Sequence, residues 1–136
     1  MNYWLMKTEP GAYSWDDLVK DGRTHWDGVR NFQARNNMKA MKVDDLALYY
    51  HSVNEKSVIG IAKIVKEYYQ DPTTDDERWV VVDIVPVEKF RRPVTLGEIK
   101  SDDRLSTMVL VNNSRLSVQP VKQEEFDIIV GMGQNG

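Results

Sequence analysis

The spacing of apolar and polar positions changes several times along the chain, and each change marks an element. Tyr3-Trp4-Leu5-Met6-Lys7 is a short apolar-rich run that predicts a strand, ended by Glu9-Pro10-Gly11. Ser14 then stands as a helix N-cap with Asp16 and Asp17 in the first turn, where the helix dipole favours anions, and Gly22 stops that helix after residue 21. Residues 24–26 predict a short strand and Asp27-Gly28 a turn. A second helix is expected over 31–41, with Ala34, Met38 and Met41 on one face and Asn31, Arg35, Lys39 and Lys42 on an adjacent one. Strands follow at 46–51 and 58–68, joined by a hairpin loop at 53–56. Residues 70–77 form a polar loop, and 79–90 a strand broken near Pro86. Thr95 caps a short helix to about residue 100, 105–110 predict a helical turn, and 116–121 a strand reaching Pro120. The last helix is expected over 124–130, leaving 131–136 as a flexible tail.

Strands outnumber helices and come in runs joined by hairpins. That pattern predicts an α/β (α+β) domain, a mostly antiparallel mixed sheet curled into a small barrel with helices outside it. The 136 residues suit one domain, over 1–130, and are enough to bury a core without staples. With 41% hydrophobic and 29% charged residues the chain is globular rather than disordered. The absence of cysteine excludes disulfides, thiolate metal sites and thiol nucleophiles. Lys7 and Glu9 interrupt the opening residues, so neither a signal peptide nor a membrane anchor is expected there. Placement in cytoplasm or nucleus follows, and the Asn112-Asn113-Ser114 sequon carries no meaning without secretion.

A net charge of −3 means that binding to nucleic acid has to come from a local basic patch. One segment provides it. From Gly28 to Val43 there is no acidic residue, while Arg30, Arg35, Lys39 and Lys42 all lie there. The same stretch holds Asn31, Gln33, Asn36 and Asn37, whose amides both donate and accept and so can pair with base edges. Tryptophans fill cores first, which suffices for Trp4, Trp15 and Trp79. Trp26 differs because it ends a strand just before Asp27-Gly28, where an indole can line a cavity mouth and stack on a base. Lys7 either pairs with Glu9 at the surface or donates to a base carbonyl or a phosphate from the wall of such a cavity. Arg115 and Ser117, on an edge strand, can face the same place. Two isolated histidines, His25 and His51, give no metal-ligand spacing. Ser52 and Ser117 lack a nucleophile elbow, and the acidic pairs all fall at turns or helix starts. No catalytic residue, metal or cofactor is expected.

Taken in order, three motifs resemble the EVE domain: Tyr3-Trp4-Leu5-Met6-Lys7-Thr8-Glu9-Pro10, Tyr13-Ser14-Trp15-Asp16-Asp17-Leu18, and Trp26-Asp27-Gly28-Val29-Arg30-Asn31-Phe32-Gln33-Ala34-Arg35. Tyr50-His51-Ser52, Asp71-Pro72-Thr73 and Ser114-Arg115-Leu116-Ser117-Val118-Gln119-Pro120 continue the likeness over nearly the whole chain. The resemblance implies a PUA-like curled barrel of five to six strands, related to YTH domains, and a reader of modified bases in DNA or RNA. It also implies base-pocket roles for Lys7, Trp26 and Asn31, with Ser52, Leu116 and Ser117 bordering the pocket. Arg30, Arg35 and Arg115 are then expected on flanking phosphates. The expected protein is a monomer that takes a flipped base from a nucleic acid, makes no use of a membrane and performs no reaction. Three alternatives stay open: an enzyme acting on nucleic acid or a small molecule, which would need a convergent acid-base pair, a PUA-type RNA-binding module indifferent to modification, and a sensor of free nucleosides or other small molecules.

Overall fold

In the computed structural model, which describes residues 1–113 and 115–135, the elements are β1 (Tyr3–Thr8), α1 (Trp15–Asp21), β2 (Thr24–His25), α2 (Phe32–Ala40), β3 (Leu46–His51), β4 (Ser57–Gln70), β5 (Val80–Thr95), α3 (Leu96–Ser101), α4 (Val109–Asn112), β6 (Val118–Val121) and α5 (Gln123–Gln134). A 3-10 turn, Asp103–Leu105, lies between α3 and α4. Ser114, which the sequon and the last motif share, and Gly136 lie outside the described residues.

The strands form one six-stranded sheet in the order β2-β5-β4-β3-β1-β6. β1 pairs parallel with β3, and every other pairing is antiparallel. This is the mixed sheet with outer helices that the pattern predicts, and it accords with a PUA-like architecture. Its closure differs from expectation: β2 and β6 end the sheet as two edges, so the curl does not complete a barrel.

Strand alternation explains how the sheet is buried on both sides, since successive side chains point to opposite faces. Trp4 and Met6 of β1 join Ala47 and Tyr49 of β3 on one face, where α1 adds Trp15 and Leu18 and α2 adds Ala34 and Met38. Leu5, Leu48 and Tyr50 point the other way, against Ile99, Leu105, Met108, Phe126 and Ile129. Trp4 also carries a polar tether. Its indole N–H donates to the buried Asp45 carboxylate at 3.0 Å, and the same carboxylate accepts the backbone N–H groups of Asn2 and Lys42.

Helix ends follow local rules. Ser14 and Asp17 form a reciprocal capping box, and so do Thr95 and Glu98. The strand expected to break near Pro86 instead continues to Thr95. Pro86 pairs with Ala62 at a register shift between β4 and β5, where a missing N–H is tolerated. β6 begins at Val118, two residues later than expected, and Leu116 lies in the core ahead of it. The expected tail is also corrected. α5 runs on through Gly131-Met132-Gly133-Gln134, and Gly133 lies so close to the Phe90 ring that any Cβ there would collide with it. Gly133, which reads as part of a disordered tail, is what lets the helix pack on β5.

Candidate functional site

The short β2 strand sets the site. It pairs with β5 through Thr24 and His25, and the Trp26 N–H then donates to the Val82 carbonyl at 2.8 Å. The chain turns next at Gly28, whose φ of +76° lies in the left-handed region that only glycine adopts without cost. The turn carries residues 24–30 along one side of a cleft of about 460 Å³. The opposite side comes from the end of β1 (Lys7, Thr8), from Ala12 and Tyr13 before α1, and from Ser117 before β6. The volume lies within the range of small-ligand sites, about 300–1,000 Å³.

Trp26 forms a rigid part of the wall. Only 8% of it is exposed, and its ring meets Tyr49 edge-on at 5.6 Å. Tyr49 in turn meets Trp15 edge-on at 5.4 Å, and its hydroxyl donates to the carbonyls of Tyr13 and Ser14. The indole is thus packed behind while lining the cavity in front, an arrangement that costs no reordering when a flat ring arrives.

Charge is arranged around this wall. Asp71 is fully buried and accepts hydrogen bonds from the Gly28 N–H at 3.2 Å, Arg30 Nη1 at 3.0 Å, and the Thr73 N–H and hydroxyl at 2.8 and 2.6 Å. Burial alone would raise its pKa, but those donors hold the carboxyl down to about 2. The carboxylate therefore fixes both the turn and the arginine that line the cleft. Burial, aided by the nearby Lys56, lowers the pKa of Lys7, whose ammonium stands 5.7 Å from the Tyr50 ring centre. Asp27 brings a carboxylate to the lining, 3.3 Å from His25 Nε2. The Thr8 hydroxyl donates to the Tyr13 carbonyl at 2.9 Å, and the Tyr13 hydroxyl donates to Asp21 at 2.8 Å.

Of the residues singled out in the sequence, Lys7, Trp26, Arg30 and Ser117 meet in this cleft. The others lie elsewhere. Asn31 is the N-cap of α2, its side-chain oxygen accepting the Ala34 N–H at 2.9 Å. Ser52 is not in the lining; its N–H and hydroxyl both donate to the Thr8 carbonyl, bracing the end of β1 from behind. Leu116 is buried in the core. Arg35 lies over the Phe32 ring at 5.0 Å, and Arg115 is exposed outside the lining. Sequence reasoning missed Tyr13, Thr24, His25, Asp27 and Val29 as lining residues. Four of these flank Trp26 directly, so a strand end turning sharply at glycine was the available signal.

A strip of two stacked rings flanked by cations leads away from the cleft. Arg30, which lines it, places its guanidinium 5.6 Å from the Trp79 ring. Trp79 stacks on Phe32 at 5.0 Å with 27° between planes, and Arg35 covers Phe32. Arg78 also approaches Trp79, at 5.9 Å, but Asp76 holds it in a bidentate pair. Among the described residues no group of three or more His, Asp or Glu is placed to hold a metal ion, and no helix is long and apolar enough to cross a membrane.

The EVE domain profile matches residues 2–132. Thymocyte nuclear protein 1 of Mus musculus is 38% identical, over 96% of this chain and 73% of its own length. The crystal structure of an Agrobacterium tumefaciens protein superposes with a TM-score of 0.96 at 43% identity, covering 98% of this chain and 93% of that one. Human THYN1, solved in complex with 5-methylcytosine-containing DNA, superposes at 0.90 with 37% identity, over 98% of both chains. The chain belongs to the EVE domain family.

Proposed function

We propose that the protein reads a modified base in a nucleic acid, holding the extruded base in the cleft and leaving its bonds unchanged. The observation that carries this reading is the Trp26 indole, packed from behind by Tyr49 and forming the wall of a cleft that Lys7 and Arg30 also line. An indole stack is worth about 1–3 kcal/mol per base. That offsets the few kcal/mol needed to take a base out of its stack. Arg30, already aimed by Asp71, serves the phosphate beside the extruded nucleotide, while Arg35 and Arg115 reach phosphates further along. A methyl group on the base gains about 0.8 kcal/mol where it displaces water from apolar surface such as Val29. The 5-methylcytosine DNA held by human THYN1 makes that base the first ligand to try. The protein acts as a monomer in cytoplasm or nucleus and catalyses no reaction.

The test is a titration of wild type and Trp26→Ala with oligonucleotides that carry 5-methylcytosine or cytosine at one position. The expected result is tighter binding of the methylated strand by wild type, with a loss of about 1–3 kcal/mol on both strands in the variant. Equal affinities in all four combinations remove the pocket.

A further inference from the structure

We infer that Asp27 selects bases bearing an exocyclic amino group, so that the cleft takes a 4-aminopyrimidine of the cytosine type and rejects its 4-oxo counterpart. The inference rests on the cleft being a base site, as proposed above, and adds which edge of the base is read and by what.

Donors and acceptors are unevenly divided around the cleft. The lining contributes two cationic side chains, Lys7 and Arg30, and both are donors only. The hydroxyls of Thr8, Thr24 and Tyr13 each donate to a protein oxygen. Among the described lining residues, Asp27 alone is a carboxylate. It is acceptor-only, with two oxygens, of which Oδ2 faces His25 Nε2 at 3.3 Å. Its side chain is 46% exposed, open to whatever enters.

Each base presents a different sequence of groups along its pairing edge. Cytosine offers an amino donor followed by two acceptors, N3 and O2. Thymine and uracil offer an acceptor at O4, a donor at N3 and an acceptor at O2. A wall with one anion and two cations complements the first order: the carboxylate receives the amino group, and the cations serve N3, O2 or the adjoining phosphate. A 4-oxo base instead turns its carbonyl oxygen toward the carboxylate, where two acceptors meet with no proton between them. Carboxylates accept from the cytosine amino group for this reason in groove recognition, and a charge-assisted bond is stronger than a neutral one.

Thymine is 5-methylcytosine with the amino group replaced by oxygen and N3 protonated, so comparing the two cancels the contribution of the methyl group. Single strands that differ only in 5-methylcytosine or thymine at the central position would be titrated against wild type, Asp27→Asn and Trp26→Ala. Wild type is expected to prefer the 5-methylcytosine strand by about tenfold. Asparagine can donate to O4 as well as accept, so Asp27→Asn should reduce the preference to about twofold or less, chiefly by binding the thymine strand more tightly. Trp26→Ala should weaken both strands alike. A wild-type protein that binds the two strands equally overturns the inference without any variant. An Asp27→Asn protein that keeps the tenfold preference overturns it too, while Trp26→Ala still weakening both strands leaves the cleft reading standing. If Trp26→Ala changes neither strand, the cleft reading itself fails and this inference with it.

Discussion

The two faces of the sheet are built from the same strands, yet one is sealed and the other is opened at its end. The sealed face pairs Leu5, Leu48 and Val58 with Ile99, Leu105, Met108, Phe126 and Ile129, several of them with no exposed surface. The other face is built on indoles, Trp4, Trp15 and Trp26, together with Tyr49. Aliphatic side chains adapt and close over gaps. Large flat rings packed edge-on do so less well, and the cleft lies beside Trp26, where the chain turns away at Gly28. On the proposed function, stability and recognition are divided between two sides of a single layer, and substitutions on each side should separate them.

The largest effect is expected from the sealed face. Leu48→Ala removes a side chain with no exposed surface and should cost about 2–5 kcal/mol, seen as a lowered Tm, with ligand affinity unchanged in the folded protein. A comparable fall in affinity would show that the faces are coupled. On the indole face, Trp4→Phe leaves the buried Asp45 without its indole donor. The expected cost is about 1–3 kcal/mol in denaturant unfolding, again without loss of binding.

Arg30→Gln tests the join between the faces and the cleft. Asp71 titrates near 2 in the folded protein, below its ordinary value of 3.8, so the unfolded chain binds its proton first as pH falls. The stability it supplies is present above about pH 4 and is lost as pH falls toward 2. Removing the guanidinium should raise the midpoint of acid unfolding and flatten the salt dependence of oligonucleotide binding. An unchanged acid midpoint would mean that Thr73 and Gly28 suffice for Asp71.

The smallest effect is expected at His51, whose Nε2 accepts the Trp15 N–H at 3.0 Å and must be unprotonated to do so. Burial pushes its pKa below the ordinary 6.5, although Asp16 and Glu55 pull it back and Lys89 lowers it further. Since the unfolded chain takes up this proton more readily, stability should be full above pH 6.5 and decline as pH falls below it. His51→Gln should remove that slope from Tm measured between pH 7 and 5.

Much of this division was legible in the sequence. Ser14, Gly22 and Thr95 announced helix ends because capping is decided within four residues, and the alternation in residues 3–7 and 46–51 announced the strands. The misreadings share one cause. Pro86 inside β5 and Gly133 of α5 are excluded by local propensity and admitted by distant partners, Ala62 and Phe90. The site divided the same way. Trp26 and Arg30 belong to one contiguous segment and line the same cleft. Asn31, next to them, serves its own helix, and Ser52 braces Thr8; neither use is visible until the fold brings its partners close.

The placement of β1 has a consequence for how the cleft comes into being. β1 lies between β3 and β6, and the Lys7 N–H donates to the Ser117 carbonyl at 2.8 Å. During synthesis the first strand is made early, but one of its edges stays open until residues more than a hundred positions later have emerged. No shortened nascent chain can therefore assemble the pocket, and a ribosome that stalls before β6 leaves a bare strand edge of the kind that chaperones shield and aggregates exploit.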